Sequence, residues 1–165
     1  MFSDIDYKTK MGKIINNTEE MNLIKLKSMI NNYNSVIYSD TFFDLENKKS
    51  YIQSLFLGFP NVPIFYHKDK HNKFIILDGN KRLDTIFCFL KNEFPIEFND
   101  KNLFFKNVDK SILTNINIRF VDVGIDSDKK NPEVKINTLK NILYSFGKEN
   151  EDVDRIINFI KSKNE

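Results

Sequence analysis

The chain has 165 residues, 41% of them hydrophobic, with 16 Phe, no Trp and a formal net charge of +2. That length suits one domain with a proper core, and the near-neutral balance gives no overall field that would commit the molecule to nucleic acid. No stretch approaches the roughly 20 apolar residues of a membrane span, and a single cysteine, Cys88, excludes an intramolecular disulfide.

No apolar run behind a basic segment opens the chain, so no secretory signal is expected and an intracellular protein follows, a virion component included. Asn and Lys are abundant and Ala is absent, the codon bias of an AT-rich genome. Residues 1–16 show no clear periodicity. Asn17, with Glu20 three residues on, predicts a capped helix start, and Met21, Ile24, Leu26 and Ile30 carry that helix to about Ile30. Residues 36–43 mix β-branched and aromatic side chains and read as an extended segment. Asp44 is placed to cap the next helix, which buries Ile52, Leu55 and Phe56 and stops at Gly58.

Strands are predicted at 62–66 and 73–77, joined by a polar turn at 67–72. A helix follows Asp78-Gly79 to about Asn92, with Leu83, Ile86, Phe87 and Leu90 on one face. Cys88 falls within it as a packed thiol. Two short strands flank a turn at Asn99-Asp100, one or two helical turns span 108–113, and a strand runs through Ile116, Ile118, Phe120, Val121 and Val123. The hydrophilic segment 126–131 is the best boundary, dividing 1–125 from a helical pair at 126–165. Leu139, Ile142, Leu143 and Phe146 stripe the first of these helices, and Val153, Ile156, Ile157 and Ile160 the second. Such stripes serve as core contacts or as a docking face.

The run Phe74-Ile75-Ile76-Leu77-Asp78-Gly79-Asn80-Lys81-Arg82 carries the chemistry. A buried strand enters a glycine turn and then a helix, whose first amides have no internal acceptor and sit at the positive end of the dipole. Anions favour such an end. Lys81 and Arg82 add cations there, and Asp78 a carboxylate suited to a metal ion or a water. An ordinary strand–helix connection, with Asp78 as a cap and Arg82 paired to Asp84 or Glu93, is the alternative.

Asp78-Gly79-Asn80-Lys81-Arg82-Leu83-Asp84-Thr85 resembles the Asp-Gly-Gln-Gln-Arg-Leu-Thr-Thr signature of the N-terminal domain of GmrSD-type, modification-dependent restriction enzymes. Upstream, Ile52-Gln53-Ser54-Leu55-Phe56-Leu57-Gly58-Phe59-Pro60 and then Val62-Pro63-Ile64-Phe65-Tyr66 fit that family's helix, loop and short strand. The matches span about residues 38–121. The resemblance implies an α+β fold related to ParB and sulfiredoxin, a small mixed sheet with surrounding helices and two C-terminal helices. It also implies a nucleoside triphosphate bound at Asp78, Gly79, Asn80, Lys81 and Arg82, Mg²⁺ at Asp78, and Asp78 and Arg82 as the groups acting on the phosphates.

Asn80 and Lys81 replace the family's two glutamines. The family's earlier Gln-Arg pair falls on Tyr38 and Ser39, so an arginine is lost and any nucleotide hydrolysis is expected to be weak or absent. Relatives often carry a C-terminal nuclease domain with metal-binding histidines. Only His67 and His71 occur here, both in the expected hairpin turn and read as surface residues, and the triplet Asp122, Glu133, Lys135 is a chance-level nuclease match. No nuclease activity of the chain on its own is expected. Lys68, Lys70 and Lys73 crowd one hairpin and suit nucleic-acid phosphates, or simply a solvated surface diluted by Asp69 and Asp84. The expected role is a stand-alone nucleotide-binding domain in DNA modification, restriction, anti-restriction or phage–host conflict, with DNA or a protein partner supplying what is missing. The alternative is a degenerate, non-catalytic scaffold subunit of a larger complex.

Overall fold

The computed structural model describes residues 13–34, 42–126 and 132–164. Their fold is α+β. The strands are β1 (Lys13–Asn22), β2 (Tyr33–Asn34), β3 (Ile64–Lys68), β4 (Phe74–Asp78), β5 (Ile96–Phe98), β6 (Lys101–Leu103) and β7 (Asn117–Asp126). Five of them form a mixed sheet in the order β1-β7-β3-β4-β2, and β5 and β6 form a separate hairpin. The helices are α1 (Leu23–Ser28), α2 (Leu45–Phe56), α3 (Asn80–Leu90), α4 (Lys110–Leu113), α5 (Pro132–Ser145) and α6 (Asn150–Asn164). β3 runs antiparallel to β4 and parallel to β7, while β1 runs antiparallel to β7.

Both sheet faces are covered, which is why β4 reads as an unbroken apolar run. On one face Tyr66, Phe74, Ile76, Ile118 and Phe120 pack with Leu26, Ile52, Leu55, Leu83, Ile86 and Phe89 from α1, α2 and α3. On the other, Ile75, Leu77, Val121 and Val123 meet Leu139, Ile142 and Leu143 of α5 and Val153, Ile156, Ile157 and Ile160 of α6. Alternate residues of β7 thus serve two cores, as the twofold period of a strand requires. The apolar stripes of α5 and α6 are core contacts.

Local signals held where the competing long-range terms were small. Asp44 accepts from the Asn47 amide at 2.8 Å and starts α2. Gly58, at φ +75°, ends it, with the Phe59 amide donating to the Ser54 carbonyl at 3.0 Å and the Gly58 amide to the Leu55 carbonyl at 3.1 Å. Asn99 and Asp100 both take positive φ, 51° and 58°, as a two-residue hairpin turn demands.

The helix expected from Asn17 to Ile30 is corrected. Residues 13–22 are β1, and each of its ten positions is paired with β7, from Lys13 opposite Asp126 to Asn22 opposite Asn117. A cap is worth about 1 kcal/mol, and a full ladder outweighs it. Only the shorter α1 remains, started by the Asn22 side chain, which accepts from the Lys25 amide at 2.9 Å. The hairpin turn is also shorter than expected. Asp69 closes it by accepting from the His71 and Lys73 amides, both at 2.8 Å. His67 therefore lies in β3 and is 6% exposed, whereas His71 stays on the surface. The expected extended segment at 36–43 up to residue 41, and the boundary segment from residue 127 to 131, lie outside the described residues.

Candidate functional site at the signature turn

Asp78 closes β4 at its C-terminal end, and the chain turns at Gly79 into α3. Gly79 has φ +101°, a conformation that side chains with a Cβ rarely adopt. A Cβ there would also stand 3.1 Å from Arg82 Nη2 and 3.1 Å from Ile64 Cγ1. The positive φ thus favours glycine here, and a Cβ would in addition press on Arg82 Nη2 and Ile64 Cγ1.

Arg82 sits in the first turn of α3. Its Nη2 donates to Asp78 Oδ2 at 3.1 Å, and its Nη1 donates to the carbonyl oxygens of Val62 and Pro63, the latter at 3.2 Å. The guanidinium therefore fastens the α2–β3 loop to the signature. From the opposite helical layer, Lys148 Nζ reaches Asp78 Oδ1 at 2.8 Å. The side chains of Asp78, Arg82 and Lys148 are 24%, 17% and 15% exposed. One carboxylate at the end of β4 so receives a cation from each of the two layers that sandwich the sheet.

This arrangement assigns Asp78 a partner on each oxygen, neither of them a helix amide. Arg82 is paired with Asp78, in place of Asp84 or Glu93. Asp84 instead receives Lys48 Nζ at 3.1 Å, which also lies 3.3 Å from Cys88 Sγ. Cys88 is half-buried, and burial pushes its thiol pKa up. A carboxylate clasped by two cations suits the orientation of those cations better than abstraction of a proton. Lys81 is exposed, with its ammonium 5.8 Å from the centre of the Phe43 ring, and Asn80 is partly buried. The Tyr51 hydroxyl is buried at this corner without a hydrogen-bond partner among the described residues; burial raises its pKa and the Arg82 charge opposes that rise.

Asp78, Gly79, Asn80, Lys81 and Arg82 thus lie together, joined by Lys148, which sequence spacing does not connect to them. The Lys68, Lys70 and Lys73 group lies at the other end of β4, roughly 15 Å away at the rise of a strand. Lys68 pairs with Asp122 at 3.5 Å and rides over the Phe74 ring, while Lys70 and Lys73 are exposed in the turn. These lysines and the signature are two separate places. Tyr38 and Ser39 lie outside the described residues. No helix among the described residues is long and apolar enough to cross a membrane.

Comparison with known proteins returns no match to a family model, to a curated protein or to a solved structure.

Proposed function

We propose that this protein is a nucleotide-binding domain of the GmrSD N-terminal type, with a ParB/sulfiredoxin-related fold, that binds without appreciable turnover. Its setting is DNA modification, restriction or phage–host conflict. The observation that carries the reading is the clasp on Asp78, held at 3.1 Å by Arg82 and at 2.8 Å by Lys148. Phosphoryl transfer needs a group that positions the attacking water and several placed charges. Asp78 here orients cations instead, and those cations, with Lys81, offer donors to a phosphate chain. A nucleoside triphosphate that binds only the folded state raises the melting temperature with concentration. The expected result is a shift with at least one of the four common nucleotides, reduced in Lys81→Gln, with no release of inorganic phosphate above the rate without protein. Brisk hydrolysis by the unaltered protein, or no shift at millimolar nucleotide, refutes it.

A second reading, a non-catalytic scaffold subunit, is favoured by a different observation. Leu57, Phe59 and Val62 in the α2–β3 loop are 67%, 61% and 60% exposed, three apolar side chains on the segment that Arg82 anchors. Large apolar groups left in water at one loop fit a protein contact. Under that reading Phe59→Glu disrupts assembly with a protein partner and leaves nucleotide affinity unchanged; equal assembly by both forms removes it.

A further inference from the structure

Lys148 stands in the turn between α5 and α6, directly after Gly147, whose φ is +78°. The Lys148 amide donates to the Leu143 carbonyl at 3.2 Å, which closes the end of α5 and fixes the stem of the side chain. Its ammonium crosses to the end of β4 and meets Asp78 Oδ1 at 2.8 Å, next to the oxygen that holds Arg82 Nη2 at 3.1 Å. A phosphate placed where it meets Arg82 and the first turn of α3 is therefore within the neighbourhood of Lys148 as well, since both cations are held on one carboxylate. Arg82 has a rigid fork of donors, and Lys148 an ammonium with three rotatable ones. The pair offers one shaped and one adaptable contact from opposite sides of the sheet.

We propose that Lys148 is a third cationic residue of the ligand site, contacting the phosphate chain together with Lys81 and Arg82, while Asp78 acts as a positioning residue that holds Lys148 and Arg82 side by side. The inference rests on the nucleotide-binding reading and adds a residue from the C-terminal helical pair to it. It makes the α5–α6 turn part of the site. It also lets the phosphate chain bind when no metal ion is present, because Lys81, Arg82 and Lys148 themselves supply positive charge.

Inorganic tripolyphosphate in the presence of EDTA is the probe, with affinity measured by calorimetry on the full chain. Losing one charge-assisted contact of this kind is expected to weaken binding about tenfold in Lys148→Gln, while Lys148→Arg keeps affinity within about threefold of the parent. Asp78→Asn is expected to weaken binding in EDTA too, because its cations lose their orientation. Should Lys148→Gln fail to fold, protection of lysines in the unaltered protein decides. Acetylation of Lys148, read by mass spectrometry, is expected to fall on addition of tripolyphosphate, along with that of Lys81. Affinity in Lys148→Gln equal to that of the parent, or protection of Lys81 with none at Lys148, overturns the inference and leaves the nucleotide reading standing. Absence of binding by tripolyphosphate and by every nucleotide defeats both.

Discussion

Replacing Asp78 by Asn keeps the size of the side chain and removes its charge. One side-chain oxygen remains to accept from a cation, and an amide NH₂ is turned against the other, donor against donor. Hydrogen bonds to charged groups contribute about 1.5–3 kcal/mol each when buried, whereas exposed ion pairs contribute about 0–1 kcal/mol. Asp78, Arg82 and Lys148 lie between those limits, at 24%, 17% and 15% exposed. A loss of about 2 kcal/mol follows for the two contacts together. In a chain of 165 residues that lowers Tm by roughly 4–8 °C. Urea denaturation of Asp78→Asn, Lys148→Met and the double variant isolates the pair, with an expected coupling of about 1 kcal/mol. A loss for Asp78→Asn within about 0.5 kcal/mol, the range of ordinary surface substitutions, would refute the clasp as a determinant of stability. Coupling near zero, with a loss in both single variants, would show that Lys148 acts by some route other than Asp78.

Gly79→Ala is expected to cost about 1–3 kcal/mol, since it places a Cβ at φ +101° and 3.1 Å from both Arg82 Nη2 and Ile64 Cγ1; stability equal to the parent by denaturation would contradict the geometry. His67 is buried in β3 with Nδ1 3.0 Å from the Val123 carbonyl and no partner at Nε2 among the described residues, and burial, with Lys135 nearby, holds its pKa below the ordinary 6.5. The unfolded chain therefore takes up this proton first as pH falls below about 6.5, so His67 stability is complete above that value and is lost progressively from there down to the depressed folded pKa. His67→Gln is expected to flatten this part of the stability–pH curve, and an unchanged slope would show that another group sets it.

How far the turn was legible depends on the range of the forces that shape it. The apolar run 74–77, the glycine and the 3.6-residue stripe from Leu83 to Leu90 are all local, and they place β4, the turn and α3 correctly. Asn99-Asp100 was legible for the same reason, since its positive φ values are a property of those two residues. β1 was not. Its Asn17-to-Glu20 cap pattern is real, but the partners that overrule it are in β7, about a hundred residues away along the chain. His67 was misplaced by the same kind of error: strand β3 extends to Lys68 because β4 pairs with it that far.

The sequence by itself determined that Asp78, Gly79, Lys81 and Arg82 would share one turn, because a strand–glycine–helix run brings neighbours along the chain together. It also marked the apolar stripes of α5 and α6, leaving open whether they face the core or a docking partner. Only the tertiary structure decided what those residues do to one another. Arg82 turned to Asp78 and to the Val62 and Pro63 carbonyls once β3 had docked beside β4. Lys148 reached the same carboxylate once α5 and α6 had packed on Ile75, Leu77, Val121 and Val123. A charge interacts with whatever lies within a few ångströms, and sequence order does not encode which distant cation the close-packed core will bring there.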